Sequence, residues 1–232
     1  MAQEAVTTVW LRPERGARGP AAAHSRAELS AAAVELADRD GLAAVSMRQV
    51  AAALGTGQAS LYRYVSGRDD LLDLMTDAVV GEVDLDAPLR GEPVEDLLAL
   101  AVRTLAVQLR HPWLADVPPE PLRLGPRGLD YLEYALRAME PAGLPGGERT
   151  ELVALMNALV AQFARARTQG AGTGGRRAAQ AAYLREAAST GNHPHVAAAL
   201  AGPGGAAGEG AEAGFERLMR RTLTGLLASG PG

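Results

Sequence analysis

The run Gln58-Ala59-Ser60-Leu61-Tyr62-Arg63-Tyr64-Val65 interleaves apolar anchors with side chains that hydrogen-bond base edges or phosphates. An amide, a hydroxyl, a guanidinium and two phenols stand within these eight residues. The free N–H groups at the start of such a helix would also favour an anion by geometry and dipole. This is recognition chemistry rather than bond-breaking chemistry. The groups that break bonds are missing or scattered: the chain has no cysteine and no Gly-x-Ser-x-Gly elbow, and its acids spread over helix surfaces without pairing. All 23 basic residues are arginine, so Schiff-base catalysis, pyridoxal-phosphate chemistry and a P-loop lysine are excluded. His193 and His195 flank Pro194 without a third ligand at a sensible spacing, which argues against a metal and places them in a loop. The glycines between Gly170 and Gly174 follow a helix rather than a strand, so they are no dinucleotide fingerprint. The sequence therefore predicts a binding protein without cofactor or metal, not an enzyme.

The elements that must position Gln58 to Val65 begin upstream. Ser25-Arg26-Ala27-Glu28, Ser46-Met47-Arg48-Gln49 and Ser66-Gly67-Arg68-Asp69 each pair a polar N-cap with an acid or amide three residues on. The first of these helices runs to about Asp40 and stops at Gly41. The second, Met47 to Leu54, is short, and Gly55-Thr56-Gly57 turns the chain into the segment at Gln58. Two helices that cross closely need a small residue in the first, a glycine four residues later and an apolar plug in the second. Ala51, Gly55 and Leu61 stand at those positions, which makes this a helix-turn-helix. A longer helix follows to about Val83, and further helices are predicted near Pro93–Arg110, Pro126–Glu140, Glu148–Thr168, Arg176–Ala188 and Gly214–Ala228, with a short turn at Trp113–Val117.

Composition agrees with an all-α fold. Isoleucine is absent and aromatics make up 4% of the 232 residues, so the 47% hydrophobic content rests on Ala, Leu and Val. Charge is uneven: residues 1–68 hold eight Arg and six acids, net +2, against 15 Arg and 21 acids, net −6, in residues 69–232. The basic end suits a polyanion. No stretch reaches the roughly 18 apolar residues of a membrane span, and the first 20 residues lack an apolar signal core, so the expected compartment is the cytoplasm.

The string Ser25-Arg26, Ala32 to Asp38, Gly41-Leu42, Ser46 to Ala51, Leu54-Gly55, Ser60 to Val65 and Arg68 to Leu72 resembles the TetR family of transcriptional regulators. Trp10 to Arg15 and His111-Pro112-Trp113-Leu114 look like the branch whose C-terminal domain is akin to that of the tetracycline repressors. The chain departs from the family pattern at Thr56-Gly57, at Tyr64 where a His is common, and at Arg68 where a Lys is common. The resemblance implies an N-terminal three-helix DNA-binding domain and a larger C-terminal helical domain. Residues 1–23 are read as a flexible basic arm, 24–68 as the DNA-binding domain and 69–232 as the effector-binding and dimerisation domain. It also places Arg48 in the major groove, Gln58, Ala59, Ser60, Tyr62 and Arg63 on the recognition helix, and Tyr64 and Arg68 on phosphates. Gln58 suits adenine, Arg48 or Arg63 guanine, and Ala59 a thymine methyl. Tyr62 serves equally well as core packing. Arg12, Arg15 and Arg18 either reach the DNA or belong to a solvated tail.

For the second domain the resemblance implies a homodimer through a four-helix bundle. The apolar stripes assigned to it are Leu152, Leu159 and Phe163 on one helix and Phe215, Leu218, Met219, Thr222, Leu223 and Leu226 on the last, with burial inside one monomer as the alternative. The effector pocket is expected among Met75, Leu105, Leu109, His111, Trp113, Tyr131, Tyr134, Met156 and Asn157. Asn157 stands out as an amide on a buried helix that must find a partner in protein, water or ligand. His111 serves alternatively as a helix C-cap. The expected partners are palindromic double-stranded DNA, a small, largely apolar effector and a second copy of the chain. The rival reading is a helical protein that binds or sequesters a small molecule without reading DNA.

Overall fold

The computed structural model describes residues 8–13, 24–118, 123–168, 174–201 and 210–228. Among them every regular element is helical. The N-terminal unit is α1 (Arg26–Asp40), α2 (Met47–Ala53) and α3 (Gln58–Leu61), and α4 (Arg68–Val80) leads into α5 (Pro93–Arg110), α6 (Pro126–Ala138), α7 (Gly146–Thr168), α8 (Gly174–Ser189), α9 (Pro194–Ala201) and α10 (Ala211–Ala228). Short 3-10 turns occupy Val9–Leu11, Leu42–Ala44, Pro112–Asp116 and Glu140–Ala142.

The first two helix starts form as their sequences predict. Ser25 Oγ accepts from the Glu28 N–H at 3.1 Å while Glu28 accepts from the Ser25 N–H at 2.7 Å, and Ser46 Oγ accepts from the Gln49 N–H at 3.3 Å. The third differs. Gly67 is the N-cap of α4, and Ser66 instead donates through N–H and hydroxyl to Asp70 at 2.5 and 2.6 Å. The Arg12 guanidinium bonds to the same carboxylate. Gly41 closes α1 at φ +80° and Gly55 turns α2 towards α3 at φ +65°, a backbone region that penalises any Cβ.

α4 packs on α1 on one side and on α6 on the other, and α5 sits against α7 and α10. Leu29, Ala33, Val50, Leu61, Leu71, Met75 and Leu100 are fully enclosed, so one apolar core runs from the reading head into the larger domain. Two expectations are corrected here. His193 and His195 are not both in a loop, because Pro194 opens α9 at the first helical position, where its missing N–H has no cost. The arm expected over residues 1–23 is not uniformly free either. Val9 is buried, Trp10 lies over Gly125 and Asp77, and a Cβ at Gly125 would sit 2.4 Å from both side chains. Arg15 and Arg18 lie outside the described residues.

Candidate DNA-reading surface and ligand cavity

α2 and α3 present Arg48, Gln49, Gln58, Ala59, Tyr62 and Arg63 to solvent while Val50, Ala51 and Leu61 fill the space behind. α3 is regular only over Gln58–Leu61, and the chain then turns through Tyr62 to Tyr64. Ser60 is half-buried on the same element. Tyr62 is 53% exposed, and Gln58 Nε2 donates to its hydroxyl at 3.4 Å, so its ring stands on the reading surface and not in the core. Tyr64 departs from the place on a phosphate expected for it. Tyr64 is buried, its hydroxyl accepts from the His24 N–H at 3.1 Å, and its carbonyl accepts from Arg26 at 3.2 Å. Arg68 donates to the carbonyls of Val45 and Leu42 at 2.5 and 3.3 Å. Tyr64 braces the reading head with polar atoms that backbone groups take up, whereas Arg68 is exposed and spends two of its five N–H donors on these carbonyls. Arg12 is likewise committed to Asp70. Burial pushes the Asp70 carboxyl up, but hydrogen bonds from Arg12 and Ser66 outweigh it and hold it below the ordinary carboxylate range.

A partly open cavity of about 440 Å³ lies between α4, α5 and α7. Each helix gives it one stripe at i, i+3, i+4 spacing: Thr76, Val79 and Val80; Thr104, Val107 and Gln108; Ala161, Ala164, Arg165 and Thr168, with Val83 just past the end of α4 beside the first. Pro112, Leu114, Ala115, Val117, Pro118 and Arg123 close it. None of the sequence-predicted pocket residues is among these lining residues. Met75, Leu105 and Met156 are enclosed in the core, and Leu109 is partly buried beside it. Tyr134 donates to the Ala87 carbonyl at 2.9 Å with the Arg103 guanidinium 5.4 Å over its ring. Asn157 finds its partner in the protein: its Oδ1 accepts from the Tyr131 hydroxyl at 2.7 Å, and that hydroxyl lies 3.2 Å from Thr104 Oγ1. Burial pushes the Tyr131 phenol up to about 12, against the pull of its hydrogen bonds with Thr104 and Asn157.

His111 and Trp113 belong to a junction between the domains. His111 Nδ1 lies 2.7 Å from Asp38 Oδ1, its Nε2 lies 3.1 Å from Glu82, and Trp113 Nε1 donates to the same Asp38 oxygen at 2.7 Å. Arg110 also donates to Glu82 at 2.8 Å. Burial raises the Glu82 carboxyl, but its bonds from Arg110 and His111 leave it below the ordinary value. The turn after α5 thus holds the end of α1 and the end of α4 together, directly beside the cavity wall at Pro112 and Leu114.

The predicted dimer stripe splits in two. Leu152, Phe215, Met219 and Leu223 are buried within the monomer, Phe215 stacking edge-on against Phe163 with centroids 5.0 Å apart. Leu159, Phe163, Thr222 and Leu226 are partly buried, whereas Leu218 is 44% and Leu155 52% exposed. The outward apolar residues of α7 and α10 are therefore Leu155, Leu159, Leu218 and Thr222 rather than the fully enclosed set. Glu95 and Arg220 tie α5 to α10 through two contacts of 2.8 and 3.0 Å. Among the described residues no cluster of three or more His, Asp or Glu is placed to hold a metal.

Residues 29–75 match the bacterial regulatory proteins of the tetR family, and residues 87–229 match the tetracyclin repressor-like C-terminal domain. The chain belongs to the TetR family. It is 40% identical over 158 residues to the HTH-type transcriptional repressor DrrR1 of Streptomyces coeruleorubidus, covering 68% of this chain and 58% of that protein. An HTH-type transcriptional regulator of Saccharopolyspora erythraea is 39% identical over 137 residues, 58% of this chain and 57% of that protein. The match thus spans less than two thirds of these relatives' lengths. The TetR family protein ActR of Streptomyces coelicolor, solved in complex with actinorhodin, superposes with a TM-score of 0.73 at 30% identity, over 88% of this chain and 97% of ActR. ActR has also been solved with (S)-DNPA, with a TM-score of 0.72 at 28% identity, over 90% of this chain and 99% of that one.

Within this TetR-family chain, sequence reasoning overlooked the cavity stripes and the Asp38–His111 junction. The stripes carried a legible signal, since Thr76, Val79, Val80 and Val83 repeat at helical spacing with a hydroxyl at one end. The junction carried none, because Asp38 and His111 meet only across 73 positions of chain. Among the described residues no helix is long and apolar enough to cross a membrane.

Proposed function

We propose that the chain is a ligand-responsive, sequence-specific DNA-binding transcriptional repressor, acting in the cytoplasm as a homodimer on a palindromic operator and released by a small, largely apolar effector. The carrying observation is the joining of two surfaces by one helix. α4 lines the 440 Å³ cavity with Thr76, Val79 and Val80, and its other end is bound to the reading head through Arg68. A cavity of this size, walled mostly by Val, Ala, Leu and Pro with few hydroxyls, suits a small ring-bearing ligand. The kinship with a repressor and with ActR, solved with actinorhodin, supports the same reading. Arg48, Gln58, Ala59, Tyr62 and Arg63 read the DNA. The outward residues Leu155, Leu159, Leu218 and Thr222 form the dimer contact, so that two heads reach successive major grooves.

The test is footprinting on DNA flanking the protein's own gene, followed by affinity measurement across salt. A repressor binds a two-fold site in the nanomolar range, loses affinity steeply as salt rises, and protects half-sites about one helical turn apart. Binding that is weak and indifferent to sequence overturns the DNA-reading assignment and favours a small-molecule carrier.

A further inference from the structure

The charged residues among the described lining of the α4–α5–α7 cavity are both arginines, Arg123 and Arg165. Arg165 donates to the Ala115 carbonyl. Arg123 sits just before α6 and donates through Nη1 to Asp73 Oδ1 at 2.5 Å and to the Asp69 carbonyl at 3.3 Å, both on α4. It is the wall residue that clasps the helix joining the cavity to the reading head. Its side chain is 11% and that of Asp73 22% exposed, so the pair is held in a poorly solvated place. Among the described lining residues, an otherwise apolar ligand therefore meets two arginines and no acid.

We propose that the effector is a bicyclic or tricyclic aromatic acid whose anionic group is received by Arg123 and Arg165, and that it works by drawing Arg123 away from Asp73. This rests on the ligand-responsive reading above. The rings occupy the wall of Val79, Val83, Val107 and Leu114, and the carboxylate takes charge-assisted hydrogen bonds from the two arginines. A ligand shifts an equilibrium only by its differential affinity for two states. Here the difference is built in, because the anion binds fully only where the Arg123–Asp73 clasp has opened. A neutral ligand of the same shape fills the cavity and leaves the clasp closed. The competition is reciprocal: whatever strengthens the clasp weakens the anion.

The test compares 2-naphthoate with 2-naphthamide, matched in shape and differing in charge, by calorimetric titration of the full chain at neutral pH. Naphthoate is expected to bind at least about tenfold more tightly than the amide. Arg165→Gln should bring the two within about threefold by weakening naphthoate alone. Asp73→Asn removes the competitor and should tighten naphthoate while leaving the amide unchanged. If Asp73→Asn fails to fold, the Arg165→Gln comparison decides alone. Equal binding of both probes to the unmodified protein overturns the anion assignment and leaves the cavity as a ligand site. Binding of neither overturns the cavity reading itself and this inference with it.

Discussion

Replacing Asn157 with Leu discriminates between an amide that waits for a ligand and one that holds the fold together. In the structure two hydroxyl hydrogens serve three contacts: Tyr131 to Asn157 at 2.7 Å, Thr104 to the Leu100 carbonyl at 2.8 Å, and the 3.2 Å contact between the two hydroxyls. Without Asn157 the Tyr131 hydrogen turns to Thr104, whose own hydrogen stays on Leu100, so no buried donor is orphaned. The loss is then one neutral hydrogen bond, about 0.5–1.5 kcal/mol, rather than a full desolvation penalty. For a chain of this length that lowers Tm by roughly 1–6 °C, from about 2–4 °C per kcal/mol. Tyr131→Phe removes both contacts, and the double-mutant cycle of Tyr131→Phe with Asn157→Leu should return about 1 kcal/mol of coupling. The phenol adds a pH signature. With the folded group pushed up to about 12, above an unfolded value near 10.0, the unfolded chain ionises first. Stability from this group is complete below pH 10 and falls between pH 10 and 12 by about 1.4 kcal/mol per unit, and Tyr131→Phe should lose that alkaline slope. Thermal and denaturant unfolding by circular dichroism reads all three quantities. Zero coupling, with Asn157→Leu as stable as the parent yet no longer released from its operator by effector, refutes the structural role.

Arg48→Ala and Gln58→Ala should each cost about 1–3 kcal/mol on operator DNA and relax preference at one base per half-site, read by competition between operator and variant duplexes. Arg68→Ala should instead weaken every duplex alike and lower Tm, since it removes the Arg68 bond from the Val45 carbonyl and a second donor from that of Leu42. Leu218→Glu should give folded monomers by ultracentrifugation that no longer bind the operator, whereas Leu223→Glu, at 0% exposure, should unfold the subunit by burying a charge in its core. The Asp70 carboxyl, held below its usual range, contributes stability that is present above about pH 4 and is lost as pH falls through its folded value; Asp70→Asn should flatten that acid limb in denaturant titrations.

What the sequence made legible follows from how far each signal reaches along the chain. Caps, turn glycines and apolar periodicity are local, so α1, α2 and α5 fall where expected, α5 over Pro93–Arg110 to the residue. The reading surface was legible because Arg48, Gln58 and Arg63 lie within two adjacent elements. The misplacement of Ser66 as a cap came from a shift of one residue: Gly67 takes the N-cap, and the Ser66 N–H and hydroxyl turn to Asp70. The cavity face went unread for a rotational reason. Leu105 and Leu109 share α5 with Thr104 and Gln108, but one residue is about 100° of helix, so choosing the more hydrophobic neighbour selected the core face instead of the cavity face. Phe215, Met219 and Leu223 failed similarly, since a clean apolar stripe on the last helix shows that a surface is covered and not by which subunit.

The placement of α4 decides whether a cavity remote from the reading surface can matter to it. The helix has 13 residues, so it is about 20 Å long at 1.5 Å per residue. A tilt of about 6° about one end displaces the other by about 2 Å, more than half the length of a hydrogen bond. Besides the bonds made by Arg68, Asp70 and Asp77, two restraints hold α4 against such a tilt: the Arg123–Asp73 clasp near its middle, and the Asp38–His111–Glu82 junction beyond its end. Both lie beside the cavity, whose lining includes Arg123 on one side and Pro112, next to His111, on the other. An anion that took Arg123 from Asp73 would free the first of these points, whereas a change at the exposed α8 or α9 touches neither. In a dimer the same displacement occurs in both heads, and recognition helices spaced for successive major grooves about 34 Å apart leave their register together.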